Sequence, residues 1–312
     1  WVINDEMVII AGATGEVLAR AKLPPLDPEL RYPDYSRTSV NLTGSGRDII
    51  LREWRRDAGG SGFKLWAYDE HLNLLWERRV RVAYGHHDGL MVYDVDGDGR
   101  DEILAGGTML DAEGNVLWEH DRMDEMARIY GGGHYDSVLV GHLADDPEVD
   151  PVAFILAGSA GLYVVDALTG RTRMRQRVGH AQFRTVGKYR EDLPGQQVLV
   201  ANRWGNMGIL TLFSGHGDRL WSIQPDYIGE GSFPVRWGKR ETDLLWANTS
   251  GPVQAFYDGY GRKVKDLPLL RERFGQRMRN EVQRSVVRMG TDPQQLLTLT
   301  VEGVLYAYAP EG

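Results

Sequence analysis

Gly85-His86-His87-Asp88-Gly89-Leu90-Met91-Val92-Tyr93-Asp94-Val95-Asp96-Gly97-Asp98-Gly99-Arg100-Asp101-Glu102-Ile103-Leu104-Ala105-Gly106 is the stretch from which the chain is read. It holds a histidine pair, a short apolar run, an acidic glycine-rich turn and a second apolar run, a pattern of loop, strand, ion-binding turn and strand. Within the turn, carboxylates stand at alternate positions, Asp94, Asp96 and Asp98, followed by the Arg100 carbonyl and the Glu102 carboxylate. Several oxygens converging on one point suit a hard cation, and calcium is the expected ion. An EF-hand is excluded, because the twelfth position from Asp94 is Ala105 and no bidentate glutamate falls there. The plain alternative is an acidic, solvated hairpin turn.

Fainter copies of this unit run along the chain. Their opening strands align as Ser39-Val40-Asn41-Leu42, Gly89-Leu90-Met91-Val92, Ser137-Val138-Leu139-Val140, Phe183-Arg184-Thr185-Val186, Phe233-Pro234-Val235-Arg236 and Ser285-Val286-Val287-Arg288, at spacings of 50, 48, 46, 50 and 52 residues. A period of this length filled with short strands signals an all-β β-propeller, whose four-stranded antiparallel blades cannot bury their faces alone. A second strand follows a polar turn, as in Asp48-Ile49-Ile50-Leu51 and Gln197-Val198-Leu199-Val200, and a third comes next, as in Leu162-Tyr163-Val164-Val165. The fourth often ends in tryptophan, at Trp76, Trp118 and Trp221. A tryptophan recurring at one repeat position reads as packing between blades. Residues 1–23 read as later strands of a blade with no opening strand, and the C-terminus stops after a third strand. Seven blades are favoured, with six or eight as alternatives, in one domain over residues 1–312.

Composition agrees with a chain of short strands. Among 312 residues there are 38 glycines, and tyrosine (14) and tryptophan (9) outnumber phenylalanine (7). No stretch approaches the roughly 18 apolar residues of a membrane span. A net charge of −8 argues against nucleic-acid binding, which leaves a basic footprint. A polyanionic ligand stays compatible with it, since distant surface charges are screened beyond roughly 8 Å at physiological salt. With no cysteine there is no disulfide or thiol chemistry. The chain starts at Trp1 without a leader, which reads as a mature or trimmed portion of an extracellular or periplasmic monomer, a cytoplasmic place remaining open.

Propeller connectivity sorts these residues onto two faces. The acidic turn joins a first strand to a second, so its ion is expected on the face away from the ligand funnel, in a structural role. His87, His134 and His180 recur at intervals of 47 and 46 residues, each just before an opening strand, and are expected around the opposite channel mouth. Two alternatives stand beside a catalytic role: repeat-specified structural histidines, or imidazoles ligating a transition metal. Loops between second and third strands add Trp54 and Arg55, and Arg203, Trp204 and Asn206; an arginine beside a tryptophan suits a carboxylate and a sugar face. Arg271, Arg273, Arg277 and Arg279 fall on the same side.

His87 to Glu102, followed by Leu110-Asp111-Ala112-Glu113-Gly114 and His134-Tyr135-Asp136-Ser137-Val138-Leu139-Val140-Gly141, resembles the propeller of rhamnogalacturonan lyases of polysaccharide lyase family eleven. The close part covers roughly residues 84 to 146, and ulvan lyases, propellers built around His, Tyr and Arg, are similar. The resemblance implies calcium in the acidic turn, an acidic polysaccharide as substrate and β-elimination at a uronic acid. A base must take the C5 proton, a cation must neutralise the carboxylate, and an acid must protonate the leaving oxygen. His87, His134 and His180 with Arg203 and Tyr130 would supply these groups, and His86, Trp54, Arg55, Trp204 and Asn206 would bind substrate. The competing readings are a non-catalytic carbohydrate-binding or adhesion propeller and a quinoprotein-like scaffold, the latter from Leu162-Tyr163-Val164-Val165-Asp166-Ala167-Leu168-Thr169-Gly170.

Overall fold

The computed structural model describes residues 2–3, 5–26, 34–54, 62–81, 89–127, 134–148, 151–203, 208–225, 232–238, 240–247, 254–267, 283–288, 295–301 and 304–308. These form antiparallel sheets that follow one another in chain order. The first is β1 to β3 (Val2–Ile3, Glu6–Ile10, Val17–Lys22) and the second β4 to β7 (Asp34–Val40, Asp48–Trp54, Phe63–Tyr68, Leu74–Val80). The third is β8 to β11 (Leu90–Tyr93, Glu102–Ala105, Thr108–Leu110, Val116–Glu119). A short helix, α1 (Met123–Ala127), then leads to β12 to β15 (Ser137–Gly141, Val152–Leu156, Leu162–Asp166, Thr172–Gln176). The last three sheets are β16 to β19 (Ala181–Gly187, Gln197–Asn202, Leu210–Phe213, Arg219–Ile223), β20 to β23 (Ser232–Val235, Leu244–Ala247, Gln254–Tyr257, Lys263–Leu267) and β24 to β26 (Gln283–Arg288, Gln295–Val301, Val304–Tyr308).

Every opening strand expected from the repeat is therefore a strand that pairs with the next. The favoured count of seven four-stranded blades needs correction. Among the described residues five sheets have four strands, while the first and last have three. A two-residue strand, β1, also precedes the strands expected at the N-terminus and pairs with β2 through Val2↔Met7 and Ile3↔Glu6.

The chain forms two compact units, residues 1–141 with 151–176, and residues 142–150 with 177–312. In the first, the second strand β13 is sandwiched on both faces and reads as continuous apolar sequence, Val152-Ala153-Phe154-Ile155-Leu156, buried throughout. Ile50, Leu65, Ile103, Leu104, Met109, Val138, Ile155 and Tyr163 belong to its main apolar core. In the second unit β17 is buried along its whole length, and Leu199, Leu212, Leu245 and Tyr257 pack together. Fourth strands are only half covered, so β11 buries Trp118 while Val116 and Leu117 face outward.

Neighbouring sheets are pinned by two recurring contacts. The fourth-strand indole donates to a carbonyl in the next sheet's third-to-fourth turn: Trp76 Nε1 to Ala112 (2.9 Å), Trp118 Nε1 to Ala167 (2.8 Å) and, in the second unit, Trp221 Nε1 to Gly259 (2.9 Å). A glycine lies beneath two of these rings because nothing larger fits. A Cβ on Gly114 would come within 2.8 Å of Trp76, and one on Gly170 within 2.5 Å of Trp118. At the first-to-second turns, an aspartate just before the second strand exchanges bonds with the residue just after the previous sheet's first strand. Asp101 does so with Asn41 in the first unit (2.7 Å each way), and Asp243 with Lys188 in the second (2.7 and 2.9 Å).

Candidate functional site

The acidic turn lies between β8 and β9, where Tyr93 pairs with Glu102. Asp94 closes the loop on itself by accepting from the Gly97 and Gly99 amides at 2.7 and 3.0 Å. Both glycines have positive φ, +80° and +88°, which the tight wrap requires. Glu102 is buried and accepts from the Val95 amide at 2.7 Å. Ligand oxygens of Asp94, Asp96 and Glu102 all lie within 4.8 Å of one another. Burial, and then the nearby charges of Asp96, Asp98 and Asp94, push the Glu102 carboxyl up to about 7. Three carboxylates converging on one point form a donor set suited to a divalent hard cation. Asp98 turns away, accepting from the Arg100 amide (2.8 Å) and guanidinium (3.1 Å), and those bonds hold its carboxyl below the usual range. The Arg100 guanidinium also pairs with Glu113.

Two sister turns meet the same need with other groups. In the second sheet the residue equivalent to Glu102 is Asp48, which accepts from the Leu42 and Thr43 amides (2.8 and 2.7 Å) and from the Thr43 and Ser45 hydroxyls. In the second unit it is Gln197, accepting from the Tyr189 and Arg190 amides (2.9 and 2.8 Å). There the residue in the place of Asp94 is Lys188, whose ammonium donates into the turn, to the Leu193 and Gly195 carbonyls. Hydroxyls complete one turn and an ammonium another. The Asp94 to Glu102 turn alone among these three combines an acidic acceptor with further carboxylates.

On the opposite ends of the strands, His134 stands just before β12. Its side chain is 9% exposed, and Nε2 lies 3.0 Å from Oδ2 of Asp136, itself fully buried. Asp136 is held by its amide, which donates to the Leu156 carbonyl at 2.9 Å. The residue between them, Tyr135, points the other way, as alternation along an extended segment demands. Its hydroxyl meets Nδ1 of His120 at 3.3 Å, and His120 Nε2 meets the Thr172 hydroxyl at 3.2 Å. Because the Thr172 hydroxyl donates to Asp121 at 2.5 Å, its oxygen accepts from Nε2–H of His120, so Nδ1 accepts from Tyr135. His120, a residue outside the repeat pattern, is thus a buried, neutral structural imidazole.

In the second unit His180 precedes β16, and its carbonyl accepts from the Arg203 amide at 3.0 Å. Arg203 follows β17, as its place in the repeat predicts. A cleft of about 340 Å³ opens among the turns of this unit, lined by Glu191, Arg240, Glu241, Thr242 and Tyr260, none of them expected from sequence. His86, His87, Tyr130, Arg55, Trp204, Asn206 and the arginines at 271, 273, 277 and 279 lie outside the described residues, as does the side chain of Trp54 at the end of β5.

No protein-family model matches the chain, and no curated protein matches it by sequence. Solved structures do share its fold, an all-β series of antiparallel, propeller-like blades. The exotype rhamnogalacturonan lyase YesX aligns with 98% of this chain and 53% of its own, with a TM-score of 0.66 and 19% identity. Bacillus licheniformis rhamnogalacturonan lyase PL11 does so with 98% and 52%, a TM-score of 0.65 and 19% identity. The V. cholerae biofilm matrix protein Bap1 aligns with 92% of this chain and 68% of its own, at a TM-score of 0.58 and 9% identity. The chain spans about half the length of the two lyases it matches. Identities this low establish the fold and leave activity to the site.

Proposed function

We propose that the chain is a polysaccharide lyase that cleaves a rhamnose- and uronic-acid-containing polysaccharide by β-elimination. The observation that carries this reading is the buried His134, set just before an opening strand with its ring against a carboxylate, in a fold shared with rhamnogalacturonan lyases over 98% of the chain. An imidazole suits proton transfer near neutral pH, and the Arg203 guanidinium suits the uronate carboxylate, whose neutralisation stabilises the developing enolate. His87, His180 and Tyr130 complete the set of proton-transfer groups, and His86, Trp54, Arg55, Trp204 and Asn206 the substrate contacts. Calcium, held by Asp94, Asp96 and Glu102 with the Arg100 carbonyl, supplies the charge that ties the acidic turn together. An acidic polysaccharide outside the cytoplasm and a monomeric enzyme go with this reading.

The test is to incubate the protein with rhamnogalacturonan, ulvan and related uronans and follow the ultraviolet absorbance of an unsaturated uronate. On an active uronan, His134→Ala should lower turnover by about 10²- to 10⁴-fold without unfolding the chain, and Arg203→Ala should weaken both binding and turnover. The likeness to the biofilm matrix protein Bap1 favours one second reading, a carbohydrate-binding or adhesion module. Binding of a uronan with no unsaturated product would decide for that reading.

A further inference from the structure

The acidic turn of the third sheet is gripped from the second. Asn41, just after β4, accepts the Asp101 amide on its main-chain carbonyl and donates its own amide to Oδ2 of Asp101, both at 2.7 Å. Its side chain reaches further along the same turn, donating from Nδ2 to the Gly99 carbonyl at 2.7 Å. Oδ1 accepts from the Gly46 amide at 2.9 Å, so a carbonyl on one side and an N–H on the other fix which end of the side-chain amide is which. Arg100 is thereby bracketed: the peptide group before it is held by the Gly99 carbonyl, and the one after it by the Asp101 N–H. In a trans peptide the N–H and C=O point to opposite sides of a common plane, so the Arg100 carbonyl faces away from Asn41. The Gly99 amide, for its part, donates to Oδ2 of Asp94 at 3.0 Å, which ties the bracketed segment to a carboxylate of the turn itself.

The side-chain part of this grip differs between the two units. In the second, Lys188 makes the same main-chain exchange with Asp243, but its ammonium turns back into its own turn, to the Leu193 and Gly195 carbonyls. The exchange thus serves to join sheets in both units, and at Asn41 it carries an added bond onto the turn where three carboxylates converge. Resting on the calcium reading of that turn, we infer that Asn41 is a positioning residue of the cation site, contributed by the neighbouring sheet, which holds residues 99–101 so that the Arg100 carbonyl stands as the neutral ligand beside Asp94, Asp96 and Glu102. A carbonyl already held in place need not be ordered when the ion binds, and this raises affinity. The coupling is reciprocal, so the ion in turn strengthens the seam between the second and third sheets.

The experiment is a calorimetric titration of calcium into protein stripped of metal with chelator. Asn41→Ala removes both side-chain bonds and leaves the main-chain exchange, and it should weaken calcium binding by about 10- to 100-fold. The comparison variant is Trp76→Phe, which removes the indole bond to Ala112 across the same two sheets without touching the turn. Its calcium affinity should stay within about threefold of wild type. An equal loss in both variants would mean that any loosening of the seam weakens the site, and would overturn a positioning role for Asn41. Should Asn41→Ala not fold, amide hydrogen exchange of the wild type decides. Calcium should slow exchange of the Asp101 amide by about tenfold relative to the Asp243 amide, which is bonded to Lys188 in the same way; equal changes at the two amides would overturn the inference. A wild type that binds no calcium ends both the calcium reading and this role, whereas calcium binding that survives unchanged in Asn41→Ala ends this role alone.

Discussion

His120 shows what burial does to one titratable ring. Its side chain has no exposed surface, and burial pushes its pKa from the ordinary 6.5 down to about 4, against the weaker opposing pull of Asp121. The unfolded chain takes up this proton below about pH 6.5, the folded chain only near pH 4. Stability is therefore complete above that window and is lost as the pH falls through it, by about 3 kcal/mol for a shift of this size. Denaturant melts at pH 7 and pH 4.5 should show a pH-dependent loss that is clearly smaller in His120→Gln; an equal slope in both proteins would deny the ring this role. Glycines give a second residue-scale test. Gly170→Ala places a carbon 2.5 Å from the Trp118 ring at φ +70°, whereas Gly15 has φ +74° with nothing within 4 Å. Thermal melts should find Gly170→Ala the costlier by about 1–3 kcal/mol, the usual toll of overpacking. The place of His134 just before an opening strand was legible because it recurs with the repeat. His120 was not, since it sits where β11 hands over to α1, a connection with no periodic partner to mark it.

At the scale of an element, the first-to-second turns carry the information. One position ahead of each second strand's core must accept amide hydrogens, and Asp48, Glu102 and Gln197 do so in three turns. The alternating carboxylates after Tyr93 pointed to an ion, and the geometry narrows the converging side chains to Asp94, Asp96 and Glu102. Which carboxylate would turn toward Arg100 could not be read, because it depends on the path of one side chain. The clasp between Asn41 and Asp101 was equally invisible, being a contact across 60 residues. Glu102→Gln should keep the Val95 bond, as Gln197 keeps its own, while removing one of the mutually repelling charges. Chelator should lower the wild-type melting temperature and leave that of Glu102→Gln nearly unchanged, with Asp96→Ala resembling chelated wild type. A wild-type melt indifferent to chelator would mean that no bound ion supports the turn.

For the molecule as a whole, the fold was legible because one unit is written six times with the same punctuation: apolar run, polar turn, buried run, third strand, then a tight turn before a fourth. The second-strand runs were the surest part, since burial on both faces makes β13 apolar throughout and leaves β17 polar only at its ends, Gln197 and Asn202. The termini were harder, because a partial copy can be completed in more than one way and no local rule chooses between them.

The three indole bonds that reach from one sheet to the next have an optical consequence. Trp76, Trp118 and Trp221 each bridge a single seam, two in the first unit and one in the second. An indole that loses its carbonyl partner and meets water emits at longer wavelength. Variants keeping only one of these three tryptophans, with the rest changed to phenylalanine, should therefore report seam by seam on where the structure first parts under denaturant. The order in which the three colours change would trace the route by which the chain comes undone.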